Sequence, residues 1–140
     1  DARFLFSIVC ARQSDLDGAR YWLAEARKID VERPNSPTFI YHLSALSELA
    51  AAEKRWDEAI PLLESIIQIT TKTEQRWEEA HKLLELAEIY RRRRKSGDRE
   101  LARAHYTEAL DLFTDMGATG YVEVIQARLS QVQPPNRPVK

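Results

Sequence analysis

Three stretches of this chain repeat one another in phase. They begin at Leu16, Trp56 and Arg99, and each places a small alanine three residues on, at Ala19, Ala59 and Ala102. A bulky residue follows four later (Leu23, Leu63, Tyr106), and a small or branched apolar one three beyond that (Ala26, Ile66, Ala109). The alanine anchors stand 40 and 43 residues apart (Ala19 to Ala59, Ala59 to Ala102), room for two helices and two turns. Upstream of each anchor a second pattern recurs: Phe6, Ser7 and Cys10; Leu46, Ser47 and Ala50; Leu86, Ala87 and Tyr90. The physical need is close approach, since a small side chain on one helix lets its antiparallel neighbour come within touching distance while large ones fill the gaps.

Helical spacing of apolar residues predicts seven helices, at about 2–12, 16–29, 37–53, 56–70, 75–94, 98–115 and 119–132, and no segment alternates like a strand. Starts are marked by Asp15, by Ser36 before Pro37, by Asp57 and Glu58, and by Asp98. Gly97 and Gly117 fall where helices should end, and Pro61 lies in the opening turns of its helix. This divides the chain into an all-α repeat domain over 1–132, with repeats at 2–29, 37–70 and 75–115 and a capping helix at 119–132. A Pro-rich tail over 133–140 is expected to be flexible.

The run Lys54, Arg55, Trp56, Asp57, Glu58, Ala59 and the run Gly97, Asp98, Arg99, Glu100, Leu101, Ala102, with Tyr106, Ala109 and Leu110 behind them, resemble the turn and second helix of the tetratricopeptide repeat. The period is longer than that family's standard 34 residues, and the proline expected after the second helix is replaced by Val31 and Thr71. The long period is similar to helical-repeat regions at the C-terminal ends of bacterial signalling ATPases, cyclases and transcriptional regulators. The resemblance implies a right-handed superhelical stack of about three antiparallel helix pairs plus the capping helix. It also implies a non-catalytic protein–protein interaction module within a larger regulatory protein. Asp1 falls inside an apolar helical pattern, which likewise leads us to expect a fragment of a longer polypeptide.

Composition sets what else is in play. Twenty-one Lys and Arg against 22 Asp and Glu give a net charge of −1, so no global field draws the chain to nucleic acid or anionic lipid. The longest nearly uncharged apolar run, residues 4–11, is too short to span a bilayer, and a single Cys10 inside it reads as a small buried thiol. A cytoplasmic protein without membrane contact is expected.

No phosphate-cradling or nucleophile-elbow glycine motif occurs, and the chain holds only 4 Gly. Neither an enzyme nor a cofactor is expected. His42, His81 and His105 are spread over three helices; a metal site from His42, His81 and Glu85 is the weak alternative to surface histidines. The sharpest charge feature is Arg91, Arg92, Arg93, Arg94 and Lys95. It reads first as a solvated corner at a helix C-terminus. RNA binding, or an acidic protein surface, stands behind that reading.

By the resemblance, first helices line a concave groove. The groove positions would be Phe4, Ile8, Tyr41, Ser44, Glu48, His81, Leu84, Glu88 and Arg91, apolar at one end and acidic at the centre. The Lys and Asn with which family members grip a chaperone's terminal carboxylate are missing there. The expected partner is therefore a basic or amphipathic peptide, or a neighbouring domain of the parent chain for which the stack would act as a structural relay. Self-association through an exposed repeat end near Phe4 is also expected.

Overall fold

The structure is a computed structural model that describes residues 2–27 and 37–132; within those helices the side chains of 2–4, 26–27 and 37–39 are not described. Among the described residues the chain is entirely helical, with seven helices: α1 (Ala2–Arg12), α2 (Leu16–Arg27), α3 (Pro37–Ala52), α4 (Trp56–Lys72), α5 (Arg76–Arg93), α6 (Asp98–Asp115) and α7 (Thr119–Val132). The expected ends of α2 near residue 29, the Ser36 cap and the tail lie outside the described residues. The helices fall into two compact units, residues 1–75 and 76–140.

Turn chemistry explains where the helices stop. At the ends of α1, α3, α4 and α6 the same hydrogen-bond pair recurs. One backbone N–H reaches back three residues (Ser14 to Ala11, Lys54 to Ala51, Glu74 to Thr71, Gly117 to Thr114). The next reaches back five (Asp15 to Cys10, Arg55 to Ala50, Gln75 to Thr70, Ala118 to Phe113). This is the Schellman arrangement, which satisfies the last helical carbonyls and requires a left-handed residue at its centre. That residue is Ser14, Lys54, Glu74 or Gly117, with φ of 63°, 58°, 55° and 71°. Only Gly117 adopts it without steric cost. Asp15 then starts α2, its carboxylate accepting the Gly18 N–H at 3.0 Å.

In unit 1, α1 packs on α2, α3 on α4, and both helices of the first pair touch α3. The core joins Ile8 and Ala11 of α1, Ala19 and Leu23 of α2, and Ala45 and Leu49 of α3, with Cys10, Leu16 and Leu46 packed against it. Small residues meet at the α1–α2 contact, where the buried Ser7 hydroxyl donates to the Ala19 carbonyl at 2.7 Å. The α3–α4 hairpin closes over Ile60, Leu63 and Ile66.

In unit 2, α6 lies between α5 and α7. Its buried face is a single stripe, Asp98, Ala102, Tyr106, Ala109 and Phe113, spaced three or four apart as one helix side demands. The anchors Ala19, Ala59 and Ala102 are all 0% exposed, and Leu23, Leu63 and Tyr106 are buried with them. The second-helix pattern therefore marks positions of equivalent burial in both units, whereas upstream Phe6 is exposed and Cys10 half-buried where Leu86 and Tyr90 are buried.

Candidate functional site

The groove positions of unit 1 divide between core and surface. Ile8 and Ser44 are buried; Ile8 is drawn into the core that α1 shares with α2 and α3. The Phe4 side chain lies outside the described residues. Tyr41 is exposed on α3. Glu48 is half-buried and engaged: Arg12 of α1 donates to its Oε1 from Nη2 at 2.8 Å and from Nε at 3.2 Å. The outward face of α1 is Leu5, Phe6 and Val9, each close to half exposed. Phe6 leans on Trp22 of α2 at 4.9 Å between ring centroids, and Trp22 meets the exposed Tyr21 at 5.1 Å. Unit 1 thus carries a surface strip of large apolar side chains, turned from the expected line to the next face of the helix.

In unit 2, His81 joins an aromatic cluster with Trp77 (4.7 Å), Tyr121 (4.8 Å) and Phe113 (5.2 Å). Trp77 remains 46% exposed. Leu84 is half-buried. Glu88 ties three helices together. It accepts from Arg91 Nη2 on its own helix at 2.5 Å and from Arg128 Nε of α7 at 3.0 Å, while Arg91 Nε donates to Tyr106 Oη of α6 at 3.2 Å. Burial works to raise the Glu88 carboxyl, but hydrogen bonds from Arg91 and Tyr106 and the charges of Arg91 and Arg128 hold it below the usual range. Burial, and then Glu88 itself, push the Tyr106 phenol well above its ordinary value. Glu88 and Arg91, expected in the groove, are half-buried and engaged by one another, by Tyr106 of α6 and by Arg128 of α7.

The basic run is also divided. Arg93 clamps the buried Asp98 with two bonds of 2.8 Å, and Asp98 Oδ2 accepts the Lys95 N–H at 2.9 Å. The Arg93 hydrogen bond, opposed by burial and helped by Lys95, keeps the Asp98 carboxyl below the usual range. Arg92, Arg94 and Lys95 have exposed side chains. Arg94 and Lys95 meet Arg99, Gln131 and Val132 around a pocket. Sequence reading singled out the run but not its partners from α6 and α7, which are remote along the chain.

Half-buried Cys10 has its thiol pKa raised by burial first and by the neighbouring Asp15 carboxylate second, as for a structural thiol. No group of three metal-binding side chains occurs among the described residues, and no described helix is long and apolar enough to cross a membrane. Among the described residues the chain is all-helical, its helices packed in pairs. No family model, curated protein or solved structure matches it.

Proposed function

We propose that this chain is a helical-repeat interaction module of tetratricopeptide type, its hairpins stacking as a right-handed solenoid, and that it binds an amphipathic helical segment of a partner protein. The observation that carries this reading is the exposed strip of Leu5, Phe6 and Val9 on α1, with Tyr41 also exposed on α3, over a core of repeating, fully buried alanines. Large apolar side chains exposed side by side are characteristic of docking surfaces. In a stack of this type α1 and α3 run the same way. Arg12 pairs with Glu48, so the positions two turns earlier, Leu5 and Tyr41, come to lie beside one another. An amphipathic helix suits such a strip through anchors at i, i+3 and i+7. Because Glu48 is already engaged by Arg12, the apolar anchors supply most of the affinity and basic residues of the partner add little. A cytoplasmic setting belongs to the same proposal, as does a place within a larger regulatory chain.

The test is an NMR titration of the full chain with a 15-residue amphipathic helical peptide and a scrambled control. Saturable shifts confined to α1 and α3, with affinity cut about tenfold by Val9→Asp and again by Tyr41→Ala, support the reading; tenfold corresponds to about 1.4 kcal/mol. Shifts of equal size with the scrambled peptide count against it.

A further inference from the structure

The exposed part of the basic run forms one wall of a pocket of about 440 Å³ in unit 2, whose lining includes Tyr90, Arg91, Arg94, Lys95, Arg99 and Gln131. Three helices contribute: the end of α5 with its following turn, the start of α6 and the end of α7. The volume lies within the range of about 300–1,000 Å³ typical of sites that enclose a compact ligand. We infer that this pocket binds an acidic peptide, seating a carboxylate or phosphoryl side chain among the guanidinium groups.

Charge is the first argument. Residues 88–100 hold six cations against three carboxylates, in a chain whose net charge is −1. Two of the three carboxylates pair with cations of the same stretch, Glu88 with Arg91 and Asp98 with Arg93, and Arg92 lies outside the lining, so the positive excess at the pocket comes from Arg94, Lys95 and Arg99. The carbonyl end of α5 offsets roughly half a charge. What is left is a concentrated positive site rather than an extended stripe.

Order is the second. The turn that carries Arg94 and Lys95 is pinned at both ends: Arg94 and Gly97 take left-handed backbones with φ of 60° and 84°, and Asp98 holds the Lys95 N–H. Arg91, its Nε and Nη2 taken up by Glu88 and Tyr106, frames the pocket, and Arg99 is oriented by its 3.1 Å bond from Nε to the Val132 carbonyl. Arginine forks fixed in advance lose less freedom on binding and match planar carboxylates or phosphoryl oxygens in pairs.

The aromatic wall selects among anions. Tyr90 is buried, lies nearly parallel to His105 at 5.8 Å and 11°, and has the Arg93 guanidinium 5.4 Å from its ring centroid. It offers no open platform for a nucleobase, and stacking is what a single-stranded nucleic-acid groove needs. The chemistry recognised is therefore an anionic side chain. All the lining residues lie in unit 2, so the inference is independent of the strip proposed in unit 1.

Fluorescence anisotropy on the full chain tests it with three labelled probes at about 0.1 M salt, where exposed charges beyond about 10 Å are screened. The probes are a hexaglutamate peptide, a peptide with one phosphoserine in a Gly-Ser background, and a ten-nucleotide RNA. Saturable binding of either peptide is expected, at least tenfold tighter than RNA; the tighter peptide names carboxylate or phosphoryl as the group recognised. Arg94→Asn, which keeps the left-handed backbone, and Lys95→Ser should each weaken binding five- to tenfold. Arg92→Ser, exposed but outside the lining, should change it less than twofold, and Tyr41→Ala not at all. Equal losses from Arg92→Ser and Arg94→Asn, RNA as the tightest probe, or no saturable peptide binding would each overturn the inference.

Discussion

Units 1 and 2 use charge in opposite ways. In unit 1 the ion pairs lie at the rim: Arg12 with Glu48, Arg20 with Glu53, and Arg55 with Glu53 and Glu58, each arginine 42–59% exposed. Such pairs contribute about 0–1 kcal/mol apiece, so small-residue contacts such as Ser7 against Ala19 have to hold the helices together. In unit 2 charge goes inside. Asp98 is 1% exposed within the Arg93 fork, and the Glu88 network bridges α5, α6 and α7. The difference teaches that the same repeating alanine pattern can be completed by packing in one place and by buried ion pairs in another. It also leaves an apolar strip open on unit 1 and a cationic pocket open on unit 2.

The contrast can be broken most forcefully from within unit 2. Phe113→Ala should destabilise it by about 3–5 kcal/mol, since the ring is fully buried and carries the aromatic cluster. Asp98→Ala should cost about 3 kcal/mol, because it leaves the Arg93 guanidinium without its partner inside the turn. Glu48→Gln in unit 1 should cost less than about 1 kcal/mol. Urea unfolding followed through Trp77, in a variant with Trp22 and Trp56 changed to Phe, reads unit 2, and the converse variant with Trp77 changed to Phe reads unit 1. Equal effects of Asp98→Ala and Glu48→Gln would erase the distinction.

Acid should sharpen the same comparison. The Asp98 and Glu88 carboxyls sit below their ordinary values in the folded chain. The stability they contribute is fully present above the unfolded carboxylate values of about 4 and is lost as pH falls through the lowered folded values. Unit 2 should therefore soften below about pH 4. Asp98→Asn should flatten this response, as read by Trp77 fluorescence against pH.

The smallest effect expected is a gain. Lys54 occupies the left-handed position of its turn at φ 58°, so Lys54→Gly should stabilise unit 1 by about 0.5 kcal/mol, measured as a shift in the urea midpoint. A loss would mean that the lysine side chain does more there than the backbone argument allows.

Helix positions were readable in the sequence because apolar spacing reports burial directly; every boundary of α3, α5, α6 and α7 falls within a residue of expectation. The turns were less readable. Ser14, Lys54 and Glu74 take backbones that glycine would advertise, and hydrogen-bonded helix ends impose them regardless of residue type. The apolar face of α1 was ambiguous for a physical reason. Leu5, Phe6, Ile8 and Val9 are apolar on two sides of one helix, and only the arrival of α3 decides that Ile8 turns inward and Val9 outward. The basic run was visible as composition. That Arg93 serves the interior while Arg91, Arg94 and Lys95 meet Arg99 and Gln131 follows from contacts between helices that no local pattern encodes.

Both proposed surfaces rest on hairpins that share one feature, a fully buried alanine in the first turns of each second helix. The most direct measurement enlarges each anchor in turn, Ala19→Leu, Ala59→Leu and Ala102→Leu, and reads the loss of stability by urea unfolding. Each anchor is 0% exposed, so all three should lose comparable stability, about 1–3 kcal/mol, from overpacking. An anchor that accepts leucine without loss while the others do not would contradict the common rule, and with it the reading of this chain as a helical repeat.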